Sequence, residues 1–165
     1  MNRLSALAHV VAPKVIDDAI RVGRLLAELG VPHALVGGLA VGLHGHPRAT
    51  RDVDYMVGAE AFEATDPLLV YRAELKEHIR VGVIDLLAVP VEHPWLAEEL
   101  GLVQVGEIHV ISVEGLIEMK LLANRGQDRE DVRQLLAAGA DPAGVAAYLA
   151  ERTPELLVRF SEIVG

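Results

Sequence analysis

The last third of this 165-residue chain contains helical patterns and no strand pattern. Apolar residues recur there at helical spacing in four segments, which are separated by glycine- or proline-containing breaks: 113–124, 128–138, 142–151 and 154–163. Every segment with strand composition lies before residue 113. Any sheet must therefore be built from the first two-thirds of the chain, and the tail must pack beside it as helices.

Helix and strand patterns alternate in that first part. Residues 13–29 predict an amphipathic helix that ends at Gly30, and residues 33–36 (HALV) predict a short buried strand. A small apolar helix over 39–43 follows. Further strands are predicted for 52–57, 68–75, 78–91 and 107–112, and a short helix or turn for 91–101.

This order of elements indicates an α/β (α+β) fold. We expect a small mixed β-sheet with flanking helices, followed by the helical tail. Residues 1–112 are assigned to the α/β core. Residues 113–165 are assigned to a C-terminal helical subdomain that packs on this core.

Composition excludes several classes of protein. Hydrophobic residues make up 52% and charged residues 24% of the chain, which is typical of a globular protein rather than a disordered one. Cysteine is absent, which excludes disulfides, cysteine-based zinc sites and cysteine nucleophiles. No apolar run approaches the roughly 18 residues that span a bilayer, so we expect a soluble, cytoplasmic protein without a membrane partner.

The charge balance bears on nucleic-acid partners. Fifteen basic and 24 acidic residues give a net charge of -9, and non-specific DNA binding rests on many contacts from Lys and Arg to phosphate. General DNA binding is therefore not expected. Residues 44–51 (HGHPRATR) are an exception, because they carry two Arg and two His and no acid. The acidic net charge disfavours a long RNA contact, but this local positive patch keeps it open.

A pair of glycines follows the HALV strand. Gly37 and Gly38 stand where the predicted strand ends and the small helix begins. Such a turn exposes backbone N–H groups at a helix N-terminus, and glycine lets a phosphate approach them closely. The alternative is a tight strand-to-helix turn that needs two glycines for its backbone alone.

Two aspartates lie at the start of the strand predicted for 52–57. Because side chains alternate along a strand, Asp52 and Asp54 share one face and repel each other unless a cation lies between them. Mg²⁺ prefers such oxygen ligands, particularly when substrate phosphates complete its coordination. The alternative is a pair of solvated or capping aspartates.

A third carboxylate interrupts the apolar segment VGVIDLLAV. Burying Asp85 inside such a strand is costly unless it is paired, hydrogen-bonded or bound to metal, so a site role is favoured over a structural one. A phosphate-binding turn followed by an Asp pair and a third Asp describes a site for a nucleoside triphosphate.

The run GGLAVGLHGHPRATRDVD, with Asp85 on a later strand, resembles small prokaryotic nucleotidyltransferases of the DNA polymerase β-like superfamily, specifically the AbiEii/toxin type. The resemblance extends into ISVEGLIEMKLLANRGQDREDVRQLL and covers about residues 33–136. The residues similar to the Lys–Ala–Arg–Asp–Asp helical motif of that family are Lys120, Ala123, Arg125, Asp128 and Asp131.

The resemblance implies a role for each matching position. Gly37 and Gly38 would hold the triphosphate, although many superfamily members have Ser at the second position. Lys120 would contact phosphate, and Asp128 and Asp131 would complete the far wall or hold Lys120 in place. The implied catalytic residues and metal ligands are Asp52, Asp54 and Asp85, with two Mg²⁺ ions for which Mn²⁺ can substitute.

Other polar and aromatic residues have possible roles near the site. Arg48 and Arg51 precede the Asp pair and could clamp phosphate oxygens in a bidentate manner; the alternative is a solvated loop. His44 and His46 lack a visible third ligand, so no zinc site is predicted. Trp95 is interpreted as a packing anchor, or as a stacking platform for a base.

The predicted activity is transfer of a nucleoside monophosphate from an NTP to an acceptor. The resemblance implies an RNA end, a tRNA 3′ end or a protein hydroxyl as acceptor, and the toxin role implies a cognate antitoxin as partner. One alternative is transfer to a small molecule such as an aminoglycoside, because an acidic surface attracts a cationic substrate. Another is a non-catalytic module that binds a nucleotide or a protein partner.

Overall fold

A computed structural model describes residues 3–63, 70–81 and 83–165. Within these ranges the α-helices are α1 (Arg3–Leu7), α2 (Pro13–Glu28), α3 (Gly37–Leu43), α4 (Ala73–Val81), α5 (Val113–Ala123), α6 (Gly126–Ala137), α7 (Pro142–Arg152) and α8 (Leu157–Val164). The strands are β1 (His33–Val36), β2 (Val53–Val57), β3 (Phe62–Glu63), β4 (Val70–Tyr71), β5 (Ile84–Ala88), β6 (Val103–Val105) and β7 (Ile108–Val110). Short 3₁₀ turns occupy Ala59–Ala61, Pro94–Glu99 and Pro154–Leu156.

Five of these strands form one mixed sheet in the order β5-β2-β1-β7-β6. Strand β1 runs antiparallel to β2 and pairs Val36 with Asp54. Strand β5 runs parallel to β2 and pairs Asp85 with Asp54. Strands β3 and β4 form a separate two-stranded ribbon. The mixed α/β fold predicted from the sequence is therefore confirmed.

Opposite faces of the sheet carry different helices. Tyr55 on β2 donates a hydrogen bond to the Ala19 carbonyl of α2 at 2.6 Å, so α2 covers the face to which Tyr55 points. Gly23 permits this approach, because a Cβ there would lie 2.8 Å from the Tyr55 hydroxyl oxygen. Since side chains alternate along a strand, Asp54 points to the other face, on the side of α3 and α5.

The tail packs against the sheet through a continuous set of buried apolar residues. Leu116 and Leu121 of α5, Val132 of α6 and Leu149 of α7 belong to the same buried cluster as the sheet. Ser112 begins α5 by accepting a hydrogen bond from the Gly115 N–H at 3.0 Å. The division into 1–112 and 113–165 stays a prediction.

The described helices are all too short or too polar to reach across a bilayer.

Two strand predictions are wrong in part. Of the segment 68–75, Val70–Tyr71 is strand β4, whereas residues 73–75 and the start of 78–91 belong to helix α4; residues 68, 69 and 82 lie outside the described ranges. Ala, Glu, Leu and Lys in AELKEHIRV favour a helix, and the apolar side chains recur at a spacing of four, with Leu75 buried and Ile79 packed on the core. Only Ile84–Ala88 of the second segment is a strand.

Candidate active site

The turn after β1 requires glycine for two reasons. Gly37 adopts a positive φ of 71°, a backbone conformation that side chains disfavour. A Cβ at this position would also collide with the carboxylate of Asp54 on β2. The backbone of the turn therefore lies next to the Asp54 carboxylate. A phosphate bound at this turn would lie close to that carboxylate.

The second glycine lies under the loop that precedes β2. A Cβ on Gly38 would meet Thr50 Oγ1 at 3.1 Å and Arg48 Nη2 at 3.3 Å, which is tighter than ordinary contact. The loop of residues 44–52 thus crosses the start of α3 at close range. It leaves little room for a serine at position 38.

The carboxylates of Asp54 and Asp85 lie side by side on neighbouring parallel strands. The pKa of Asp54 is raised to about 6, mainly by burial and then by the negative charges of Asp85 and Asp52. A hydrogen bond with Asp85 also favours the protonated form, whereas Lys120 lowers the pKa of Asp54. This part of the site therefore has an excess of negative charge.

Asp85 is not buried, contrary to the sequence argument. Along β5 the buried residues Ile84 and Leu86 alternate with the exposed residues Asp85 and Leu87. One face of β5 is therefore packed against the core, whereas the face that carries Asp85 and Leu87 is open. The unbroken apolar sequence hides this alternation because Leu87 is an exposed leucine. Asp85 nevertheless lies beside Asp54, as the three-carboxylate pattern predicts.

Asp52 lies outside the cleft that Asp54 enters. It precedes the first residue of β2 and is exposed, although its charge raises the pKa of Asp54. With Thr50 and Arg51 it lines a separate depression of about 520 Å³ beside Val10 and Ala12. Asp52 and Arg51 therefore face a different concave surface from the rest of the predicted site.

A cleft of about 270 Å³ lies between the sheet and helices α5 and α6. Four predicted site residues line it, namely Gly37, Asp54, Lys120 and Asp128. The remaining lining residues are Val36, Leu87, Leu116, Met119, Ala123 and Arg125. The structure thus brings the glycine turn, one aspartate predicted to be catalytic and the tail motif to one cavity.

Lys120 is held by two buried carboxylates of α6. Its Nζ lies 3.3 Å from Asp128 Oδ1 and 2.8 Å from Asp131 Oδ2, and the residue is 8% exposed. Burial alone would raise the pKa of Asp128 and of Asp131. Hydrogen bonds and positive charges outweigh that effect, and the pKa of each carboxyl lies below its usual value.

Arg48 links the loop before β2 to the helical tail. Its Nε and Nη2 donate to Asp131 Oδ1 and Oδ2 at 3.0 and 3.1 Å, a bidentate pair. Arg48 is therefore not simply a solvated loop residue, and its predicted contact with phosphate stays a prediction. Arg51 is exposed and forms no ion pair within the ranges that the structure describes.

Arg125 lines the cleft, although the sequence analysis gave it no role beyond membership of a motif. Its Nε donates to Asp128 Oδ2 at 2.7 Å, while 78% of the side chain is exposed. The hydrogen bond and charge of Asp128 raise the pKa of Arg125, and the charge of Asp54 acts in the same direction. Its position at the start of α6, three residues before Asp128, is the sequence signal that could have identified it.

Two other side chains have structural contacts. His44 Nε2 lies 2.6 Å from the Ile111 carbonyl oxygen and donates to it, because that oxygen can only accept. Trp95 donates from Nε1 to Glu118 Oε1 at 2.7 Å, away from the cleft. These contacts tie loops to the core and agree with the packing interpretation of Trp95.

The carboxylates of the site suit a Mg²⁺ ion that is also bound by substrate. In residues 3–63, 70–81 and 83–165 no group of three His, Asp or Glu side chains is placed to hold a metal ion by itself. Mg²⁺ does not need such a group, because one or two carboxylates suffice when substrate phosphates and water supply the remaining oxygens. The contacting pair of Asp54 and Asp85, with its excess negative charge, fits that type of site.

Comparisons with known proteins give one structural match to report. No family model matches the chain. No curated protein matches it either. An antigenic nucleotidyltransferase-like protein from Paracoccidioides brasiliensis has a solved structure that matches 92% of this chain and 94% of its own, with 14% identity and a TM-score of 0.47. Membership of the AbiEii/toxin type stays a prediction.

Proposed function

We propose that this protein is a Mg²⁺-dependent nucleotidyltransferase that uses a nucleoside triphosphate. One observation carries the proposal. A single cleft brings together the Gly37 turn, the carboxylate of Asp54 beside Asp85, and the cation Lys120. Backbone N–H groups and a cation suit the phosphates, while the acidic pair suits the metal that accompanies them.

The acidic pair supplies the metal ligands in this proposal. Asp54 and Asp85 would hold Mg²⁺ together with phosphate oxygens. Asp52 lines the neighbouring depression, but its charge reaches Asp54, and it would hold a second ion at the edge of the site. Bound there, Mg²⁺ would neutralise the charge that develops on the α-phosphate and on the leaving pyrophosphate. Mn²⁺ has the same ligand preference and would substitute.

The helical tail supplies the phosphate-binding cations. Lys120 is fixed in place by Asp128 and Asp131, so its ammonium is oriented before any substrate arrives. Arg125 holds Asp128 with one edge of its guanidinium, which leaves other N–H groups for phosphate oxygens. Such preorganised charges stabilise a transition state without reorganising.

The chemical step is an in-line displacement at the α-phosphorus. The acceptor hydroxyl oxygen forms a bond to that phosphorus, and the bond between the α-phosphorus and the bridging oxygen to the β-phosphate breaks. Pyrophosphate leaves with the bonding electrons. Asp85, the more exposed carboxylate of the pair, takes the proton from the attacking hydroxyl.

The acceptor belongs to the same proposal. We assign an RNA or tRNA end, or a protein hydroxyl, as acceptor and a cytoplasmic setting with a cognate antitoxin, on the motif resemblance. A small cationic acceptor is the second candidate. The net charge of -9 favours it, because the field of an acidic protein attracts cations.

Label transfer tests the proposed function. The protein is incubated with Mg²⁺, a cell lysate and each α-labelled NTP in turn, and RNA, protein and small molecules are resolved separately. Wild type is compared with the Asp52→Asn/Asp54→Asn double variant and with Asp17→Asn, an exposed aspartate of α2, as matched control.

Label from wild type and from Asp17→Asn, lost in the double variant, would support transfer and identify the acceptor class. No label in any fraction, or equal label in the double variant, would contradict it. Nucleotide binding without label would indicate a non-catalytic module instead.

A further inference from the structure

Helix α5 presents one mostly apolar stripe to the cleft. Leu116, Met119, Lys120 and Ala123 follow the spacing i, i+3, i+4 and i+7, which places them on one helical face. Three of these four side chains are apolar. The charged member, Lys120, turns to Asp128 and Asp131.

The facing wall of the cleft is also apolar. Leu87 on β5 lines it and is 42% exposed, so no side chain of the described ranges fills the space in front of this leucine. Leu87 lies on the same face of β5 as Asp85, two residues further along the strand. An apolar group would therefore be accommodated next to the carboxylates.

The polar side chains of the cleft already have partners, apart from the Arg125 N–H groups that the proposed function assigns to phosphate. Lys120 and Arg125 bind Asp128, and Asp54 interacts with Asp85. Among the lining residues that the structure describes, none is Asn, Gln, Ser or Thr. These neutral side chains are the ones that would donate to and accept from the edge of a nucleobase.

We propose that the cleft holds the nucleobase by apolar contact alone, so that the protein binds all four nucleoside triphosphates with similar affinity. This inference rests on the proposed function. A site that hydrogen-bonds a substrate rejects an analogue strongly, whereas an apolar pocket discriminates weakly. Every base has an aromatic face that packs on leucine and on the polarisable sulfur of Met119.

Isothermal titration calorimetry of the full chain, with nucleotides and tripolyphosphate as their Mg²⁺ complexes, measures the affinities that test this inference. The probes are ATP, GTP, CTP, UTP and inorganic tripolyphosphate, which has the phosphates without a base. The four nucleotides are expected to bind within about tenfold of one another and more tightly than tripolyphosphate. A preference above about 100-fold for one base would overturn the inference.

Variants separate the base from the phosphates. Met119→Ala is expected to weaken all four nucleotides alike, by about fivefold, and to leave tripolyphosphate unchanged. Leu122→Ala is the matched control, since Leu122 is a half-buried residue of the same helix outside the cleft. Arg125→Gln is expected to weaken tripolyphosphate and nucleotides together.

Each remaining outcome has a defined meaning. Tripolyphosphate binding as tightly as the nucleotides would overturn the apolar base site while leaving the phosphate site intact. A loss of tripolyphosphate binding in Met119→Ala would also overturn it. If neither tripolyphosphate nor any nucleotide binds, the proposed function fails, and the inference fails with it.

Discussion

The two walls of the cleft differ in how their carboxylates are neutralised. The sheet wall carries Asp54 beside Asp85, and the helical wall carries Lys120, Arg125 and Asp128. On the sheet wall, Asp54 is surrounded by carboxylates, and burial with this repulsion raises its pKa to about 6. On the helical wall, Asp128 and Asp131 meet Lys120, Arg125 and Arg48, and their pKa values are lowered. Each carboxylate of the helical wall therefore has a cationic partner without a ligand, whereas the carboxylates of the sheet wall need an added cation.

This contrast separates two kinds of buried aspartate. Aspartates that hold a cation in place belong to the architecture, and their removal should affect folding. An aspartate that lacks a cation is costly to the fold, and its presence is best explained by a ligand that supplies the charge. Substitutions on each wall can test the distinction.

The largest expected effect is on activity at the sheet wall. Asp54→Asn removes one proposed metal ligand, and label transfer should fall by about 10³-fold or more, because charge stabilisation of the transition state is lost. Circular dichroism should show an unchanged fold. Transfer at the wild-type rate would remove Asp54 from the site.

Removing the cation of the helical wall should instead reduce stability. Lys120→Ala leaves two buried carboxylates with fewer partners, and the free energy of unfolding in urea should fall by about 3 kcal/mol. Lys14→Ala is the control, because Lys14 is 80% exposed in its pair with Asp18 and should change stability by less than about 1 kcal/mol. Equal effects would show that the helical wall is not architectural.

Stability at the sheet wall should depend on pH with a defined sign. The pKa of Asp54 is raised from 3.8 to about 6, so its neutral form suits the fold and stability is lost as pH rises from about 4 to about 6. Above pH 6, Asp54→Asn should therefore unfold at higher urea concentration than wild type. With a discount for partial exposure, the gain is about 1–2 kcal/mol.

The stabilisation by Asp54→Asn should disappear near pH 4, where wild-type Asp54 is protonated in the folded state. Urea unfolding at a series of pH values measures it. A gain that is constant across the series, or that grows as pH falls, would contradict the charge imbalance at this wall.

The smallest expected effect is a shift in titration. Asp85→Asn removes a like charge and a hydrogen bond that both raise the pKa of Asp54, so that pKa should fall below 6. Burial should keep it above 3.8. Carboxyl-detected NMR titration would follow it, and an unchanged value would show that the two carboxylates do not interact.

Local patterns made much of the sheet wall predictable from the sequence. The strand HALV, the glycine pair and the start of β2 are predicted from residues that are close in sequence. Periodicity also predicts that Asp52 shares the face of Asp54, whereas Asp52 precedes β2 and lines a separate depression. The same periodicity failed on β5, because an exposed leucine there reads as a buried one. Helix α4 falls inside two predicted strands because apolar runs flank it, LLVY before and VIDLLAV after.

The contacts of the helical wall could not be predicted in the same way. Arg48 meets Asp131 across 83 positions of the chain, and no local pattern signals such a pair. The same is true of the contact between Gly38 and Thr50, which depends on how the loop before β2 folds back. The sequence motif pointed to these residues, while their partners came from tertiary packing.

The most direct measurement of the central claim is the effect of Mg²⁺ on nucleotide binding at pH 8. Affinity for ATP would be measured with and without Mg²⁺ in wild type and in Asp54→Asn. If the sheet wall takes a cation together with phosphate, Mg²⁺ should tighten binding in wild type and have little effect in the variant. Equal tightening in both proteins, or none in wild type, would contradict the account.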